Sequence, residues 1–245
     1  MSKLHFHPNV VVAHRGAWKA LRYPENSVAS LKRAVDLQCA GSEFDVHMTA
    51  DDSLVINHDD YYHELDIETH TFDELRKHPL SNGETLPTLK EYILQGIAQN
   101  NGTKIVMEIK PTKVKARGNI VAKKCYDLVN ELNASAWITY ISFDLDILTT
   151  LVALNKKVKT QYLNGELSPL ELKAKGITGL DYHYSVFKKH PEWIKAAKEN
   201  KMALNTWTVN SAEDMDYFIR NKFDYITTNE PELLFERIKL SGQVK

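Results

Sequence analysis

The chain has 245 residues, 43% hydrophobic and 26% charged, with a formal net charge of −1. That length can bury a substantial core, and the near-neutral balance gives no electrostatic reason to expect nucleic acid or an anionic membrane as partner. No apolar run approaches the ~20 residues of a membrane span, which argues against stable membrane insertion. Residues 1–8 lack the apolar centre of a signal peptide, so the chain as given reads as cytoplasmic.

Strand-like apolar runs are predicted at residues 9–13, 42–48, 104–109, 137–142, 158–162, 178–182, 203–208 and 225–227. Amphipathic helices are predicted between them at 27–37, 89–98, 120–132, 145–154, 169–174, 191–199, 212–220 and 232–238. In the first helix Val28, Leu31, Ala34 and Val35 repeat at the spacing of one buried face. Asn26/Ser27 and Asn210/Ser211 are good N-cap candidates. Alternating strands and helices over 245 residues predict a (β/α)₈ TIM-type barrel, with a doubly wound parallel sheet as runner-up. After the second strand comes a further short strand, 54–56, and then a polar and aromatic stretch at about 59–86. It reads as a small insertion on the catalytic rim, a candidate lid. No linker or repeat divides the chain, so residues 1–245 are expected to form one domain. Cys39 and Cys125 lie in or just after helical patterns and read as buried free thiols.

Several strands end in charge. Residues two apart on a strand share a face, so Glu43 and Asp45 project together, as do Glu108 and Lys110. At one barrel rim Glu43, Asp45 and Glu108 would converge. Carboxylates that close repel one another, and an oxygen-preferring divalent cation, Mg²⁺ or Ca²⁺, relieves them. Strand-end salt bridges to Lys110 and Arg15 are the plainer reading for any single acid. His14 follows the first strand and His58 the short one, which places two acid/base candidates on the same rim. No role falls to the other eight histidines. Arg15 presents a planar fork for phosphate oxygens, or an ion pair with Glu25, or both. Gly16 reads as a turn that brings backbone close to a ligand. The basic group Lys110, Lys113, Lys115 and Arg117 reads, apart from the site lysine, as a solvated loop. Trp207, late in the seventh strand, would wall a small alcohol moiety.

Taken in order, the motifs His14-Arg15-Gly16, Pro24-Glu25-Asn26, Glu43-Phe44-Asp45-Val46, Thr49 with Asp51, and His58-Asp59 resemble the glycerophosphodiester phosphodiesterase family. Leu86-Pro87-Thr88-Leu89, Glu108-Ile109-Lys110-Pro111, Ser142-Phe143, residues 206–210 and residues 227–231 continue the match through nearly the whole chain. The resemblance implies a (β/α)₈ barrel with a small insertion after the second strand. It implies hydrolysis of small glycerophosphodiesters to glycerol 3-phosphate and an alcohol. By motif, His14 and His58 would be the acid/base pair, Glu43, Asp45 and Glu108 would hold one divalent cation, and Arg15 and Lys110 would contact phosphate. Three positions depart from the family pattern: Asp52 where Gly is common, Asn229 where Asp is frequent, and Gln161-Tyr162-Leu163 at the fifth strand end. The rival expectations are lysophospholipase D- or phospholipase C-like action and, further off, a non-catalytic binder of phosphorylated metabolites or a metal-dependent sugar isomerase.

Overall fold

The structure, a computed structural model, describes residues 4–242; residues 1–3, part of the segment read above for a leader, and 243–245 lie outside it. Eight strands form the wall: β1 (Val11–Ala13), β2 (Gly41–Met48), β3 (Lys104–Ile109), β4 (Ile138–Ser142), β5 (Thr160–Tyr162), β6 (Gly179–His183), β7 (Ala203–Trp207) and β8 (Ile226–Thr228). They pair in parallel in the order β7-β6-β5-β4-β3-β2-β1-β8. Backbone bonds Tyr225 N–H to Leu204 O (3.0 Å) and Val209 N–H to Thr227 O (3.0 Å) link β7 to β8 across the remaining gap. The nearly closed eight-stranded sheet with surrounding helices is the TIM-type barrel expected.

Alternation along the strands divides the side chains into two layers. Phe44 and Val46 face outward into the main core against the helices, where the Phe44 ring packs 4.6 Å from that of Tyr92. The inner layer holds a smaller apolar cluster, Val12, Val106, Ile141 and Leu163, with Phe143, Trp207 and Tyr225 against it. Above that cluster the inward positions turn polar, and there the rim begins.

The helix at Val28–Asp36 carries the predicted cap, Ser27, whose Oγ accepts from the Ser30 N–H. Ser211 caps Ala212–Arg220 in the same way. Three elements differ most from expectation. The fourth helix runs Lys115–Glu131 and so starts well before residue 120, because its first turn is polar and carries no apolar period. A helix at Tyr184–Lys189 was not anticipated, since Phe187 alone of its six residues is buried. The fifth strand is only three residues long.

Lys115 and Arg117 of the basic group begin the Lys115–Glu131 helix rather than lying in a loop, and the side chains of the group are paired. Lys113 meets Asp66 at 2.6 Å, Lys115 meets Asp146 at 2.7 Å, and Arg117 donates to the Thr49 carbonyl at 2.8 Å. The Lys113 contact ties the insertion to the barrel. The insertion itself is a hairpin, Tyr61–Tyr62 with Leu65–Asp66, followed by a 3₁₀ turn and a helix at Phe72–Leu75 capped by Thr71. Its own small core unites Val55, Tyr62, Ile67, Leu75 and Leu86. Further fastenings are Ala50 N–H to His70 O (2.9 Å) and Phe72 N–H to the Asp51 carboxylate (3.0 Å). Glu84 accepts from the first two N–H groups of the Val28–Asp36 helix, satisfying donors that no helix can satisfy itself. These fastenings describe an anchored platform beside the rim. Among the described residues no helix is long and apolar enough to cross a membrane, and both cysteines are buried free thiols.

Candidate active site

Register assembles the acids. β2 and β3 pair so that Asp45 lies opposite Glu108, with Glu43 two residues earlier on the same face. One carboxylate oxygen from each of Glu43, Asp45 and Glu108 lies within 4.8 Å of the others, and all three side chains are buried. The predicted cluster is therefore formed in space. Burial and the charges of Asp45 and Glu108 push the Glu43 carboxyl well above the usual carboxylate range. Burial and the charge of Asp45 raise Glu108 to about 7, with Lys110 opposing. Asp45 goes the other way despite its burial. Lys110, His58, the Asn26 hydrogen bond and Arg15 together hold it below the usual value.

The three acids differ in their partners. Asp45 accepts from Asn26 Nδ2 at 2.8 Å and meets Lys110 Nζ at 3.1 Å, with Arg15 Nε 3.8 Å away. Lys110 also reaches Glu108 at 2.9 Å. Glu43 Oε2 accepts the Arg15 backbone N–H at 2.9 Å, while Glu43 Oε1 is buried and has no hydrogen-bond partner. A raised, half-satisfied carboxyl between two other acids suits a hard divalent cation with oxygen ligands.

Arg15 makes the expected ion pair. Its guanidinium pairs with Glu25 at 2.5 Å, which orients it beside Asp45. Its backbone takes the left-handed conformation, φ 55°, and Gly16 follows at φ 80°. The expected turn at Gly16 is present, and the helix also requires the glycine: a Cβ there would lie 2.4 Å from Ser30 Oγ and 2.6 Å from the Ser30 carbonyl carbon.

His14 and His58 both line a cavity of about 250 Å³ with Arg15, Glu43, Glu108, Lys110 and Trp207. His14 Nδ1 lies 2.7 Å from Asn229 Oδ1, and Nε2 lies 3.9 Å from Glu43. An amide oxygen only accepts, so Nδ1 carries the proton and Nε2 is left as the basic nitrogen. Burial and the neighbouring Arg15 lower the His14 pKa to about 4, so the ring is neutral at pH 7. His58 Nδ1 is held by Asp59 at 2.7 Å, and His47 Nε2 meets the His58 carbonyl at 3.2 Å. His47 thus braces a residue of the site from beneath, a role with no signal in the sequence. Trp207 forms one wall, edge-on to Phe143 at 5.5 Å, with its indole N–H donated to the Asp181 carbonyl at 2.9 Å.

Two residues of the site escaped the sequence. Asn229 was noticed only as a departure, since nothing near residue 229 reveals that its side chain meets His14, 215 positions away. Asp181, on β6, lines the cavity from below and is 1% exposed. Its place in an apolar strand directly before Tyr182 was its only signal. A second cavity, of about 380 Å³, opens at the opposite end of the barrel between Phe6, Trp137 and Tyr140. None of the three acids or two histidines lines it.

The glycerophosphoryl diester phosphodiesterase family model matches residues 14–233. The chain is 29% identical over 247 residues to a glycerophosphodiester phosphodiesterase of Caldanaerobacter subterraneus subsp. tengcongensis, spanning 95% of this chain and 99% of that protein. A solved glycerophosphodiester phosphodiesterase from Parabacteroides distasonis is 39% identical, covers 97% of this chain and 100% of its own, and superimposes with a TM-score of 0.93. A phosphodiesterase of Oleispira antarctica, solved in complex with the product sn-glycerol-3-phosphate, shares the fold at a TM-score of 0.80 and 22% identity, covering 94% of this chain and 97% of its own.

Proposed function

Because the chain belongs to the glycerophosphoryl diester phosphodiesterase family and is an enzyme of that activity, we propose a division of labour within its rim pocket. The substrate is a small glycerophosphodiester, and the products are glycerol 3-phosphate and an alcohol. The observation that carries this reading is the buried acid triad, with oxygens within 4.8 Å of one another, beside two histidines and two fixed cations in one cavity. Glu43, Asp45 and Glu108 hold one divalent cation, Mg²⁺ or Ca²⁺, which when bound supplies charge neutralisation at the phosphate. Arg15 and Lys110 hold the non-bridging phosphate oxygens, and Trp207 packs against the carbon skeleton.

His14 is the general base. Its neutral ring, held through Nδ1 by Asn229, points a free lone pair at Nε2 toward the acid side of the cavity. It takes the proton of the glycerol 2-hydroxyl as that oxygen forms a bond to phosphorus, an intramolecular and therefore entropically favoured attack. The bond from phosphorus to the departing alcohol breaks, and His58 gives that oxygen its proton. The product of this half is a five-membered cyclic phosphate. Water then opens it, with the histidines exchanging roles, to yield glycerol 3-phosphate.

Leaving-group chemistry tests the assignment. Loss of a general acid matters less when the departing alcohol is already a good leaving group. His58→Ala is expected to lose 10²- to 10⁴-fold on glycerophosphocholine but much less on a glycerol 4-nitrophenyl phosphate diester. His14→Ala should lose about equally on both. Equal deficits for the two variants on each substrate would remove the distinction between acid and base. A diester of 1,3-propanediol, which lacks the 2-hydroxyl, checks the route of attack: turnover as fast as the glycerol compound would replace intramolecular attack by direct attack of water.

The volume of about 250 Å³, with apolar lining limited to Ile141, Phe143, Leu163 and Trp207, favours small head groups over a lysolipid reading.

A further inference from the structure

Asp181 is the one carboxyl in the cavity for which the proposed reaction has no use. It stands on β6, inside the barrel, with its side chain in the same cavity as Glu108 and Trp207. A relay fixes its orientation. Asn205 Nδ2 donates to Asp181 Oδ2 at 3.0 Å, and Asn205 Oδ1 in turn accepts from the Thr206 N–H at 2.8 Å and from Thr227 Oγ1 at 3.2 Å. Both Asn205 and Asp181 are 1% exposed. The other carboxyl oxygen, Oδ1, is buried and has no partner at all. A purely structural carboxyl at this depth normally has both oxygens satisfied, because leaving one bare is destabilising. An oriented, unpartnered oxygen at the edge of a ligand cavity is poised for a ligand group.

We infer that Asp181 is a specificity-determining residue, whose free Oδ1 hydrogen-bonds a hydroxyl of the polyol arm of the substrate while the acid triad and the cations engage the phosphate. The inference rests on the phosphodiesterase reading and sharpens it, since it gives the carbon side of the substrate its own polar recognition. A hydroxyl fits better here than a second cation. Asp181 is not one of the carboxylates that cluster within ligand distance of one another, and its other oxygen is already held by Asn205, so it offers a hydroxyl one acceptor rather than offering a cation a ligand set. The apolar part of the cavity lining is Ile141, Phe143, Leu163 and Trp207, and an alcohol without a hydroxyl at this point would leave Oδ1 buried and bare. Sites built to bond a substrate hydroxyl discriminate against analogues that lack it more strongly than apolar pockets discriminate by size.

The test is calorimetric binding of sn-glycerol 3-phosphate and of inorganic phosphate to the full chain, in the presence of the same divalent cation. Wild-type protein should bind glycerol 3-phosphate more tightly than phosphate. Asp181→Leu, which keeps the branched shape and removes the hydrogen bond, should weaken glycerol 3-phosphate about 10- to 100-fold and leave phosphate within about twofold. Asp181→Asn, which can still bond both Asn205 and a hydroxyl, should recover most of the difference. Melting curves of the two variants separate misfolding from lost recognition, and the asparagine variant keeps the question open to measurement if leucine fails to fold. Equal weakening of both ligands, or no weakening of either, overturns the assignment of Asp181. Wild-type protein that shows no preference for glycerol 3-phosphate overturns it as well. Failure of the underlying reading looks different: no diester is cleaved, whatever the binding ratio.

Discussion

Removing one charge from the acid triad should stabilise the protein when no divalent cation is present, and only above a definite pH. Glu108 is the residue to change, because its carboxyl is raised from 4.5 to about 7 by burial and by Asp45. A carboxyl whose folded pKa lies above its unfolded one binds its proton more tightly in the native state. Its contribution to stability is complete below about pH 4.5 and is lost as the pH rises through 7. At about 1.36 kcal/mol for each tenfold change in proton affinity, the difference amounts to about 3 kcal/mol by pH 8. Glu108→Gln keeps the shape and never ionises, and Lys110 retains Asp45 as a partner at 3.1 Å. In EDTA the variant should therefore melt close to wild type at pH 4.5 and about 6–12 °C above it at pH 8. His14, shifted by burial and Arg15, titrates alike in both proteins and cancels in the difference, whereas Glu43 loses the charge of Glu108 and shifts the gap in the same direction. Adding Mg²⁺ or Ca²⁺ at pH 8 should raise the melting temperature of wild type, by mass action, and move the variant far less. Parallel melting curves across this pH range, with no growing gap, would refute the argument that the triad is strained without a cation.

Other perturbations follow from the same geometry. Gly16→Ala places a Cβ 2.4 Å from Ser30 Oγ at a backbone φ of 80°, so urea denaturation should show a loss above about 2 kcal/mol. Phe44→Ala empties a fully buried site against Tyr92 and should lose about 3–5 kcal/mol in the same assay. Asn229→Ala frees His14 Nδ1 from its only side-chain hydrogen bond among the described residues; kcat should fall about tenfold or more with little change in KM, and an unchanged kcat would mean that Asn229 does not orient the base.

How much of this was legible in the sequence depended on the range of the interaction. Period-two alternation fixed which faces Glu43, Asp45 and Glu108 share, and the barrel wall supplied their convergence. Capping residues Ser27 and Ser211 were legible because a cap and its helix are neighbours in sequence. Glu84 was not, since it caps a helix more than fifty residues earlier. Asp52 departs from the glycine common in the family pattern, yet it occupies a left-handed conformation, φ 62°, that aspartate tolerates. Its carboxylate lies 3.5 Å from both Arg117 and Lys124, a contact invisible until the two segments are packed. Lys115–Glu131 began earlier than its apolar period because charge pairing and packing of Gly118, rather than amphipathicity, shape its first turns. Asp181 was missed for the opposite reason. An acid within an apolar strand looks like noise until its depth and its single satisfied oxygen are known.

The most direct measurement is release of glycerol 3-phosphate from glycerophosphocholine and glycerophosphoethanolamine by protein stripped with EDTA, with Mg²⁺ and Ca²⁺ restored separately and His14→Ala as the comparison. Turnover that returns with one of these ions and is lost by at least 10²-fold in the variant is the expected result. Turnover that persists fully in EDTA, or that survives in His14→Ala, would contradict an acid triad and a histidine base acting together on the phosphodiester.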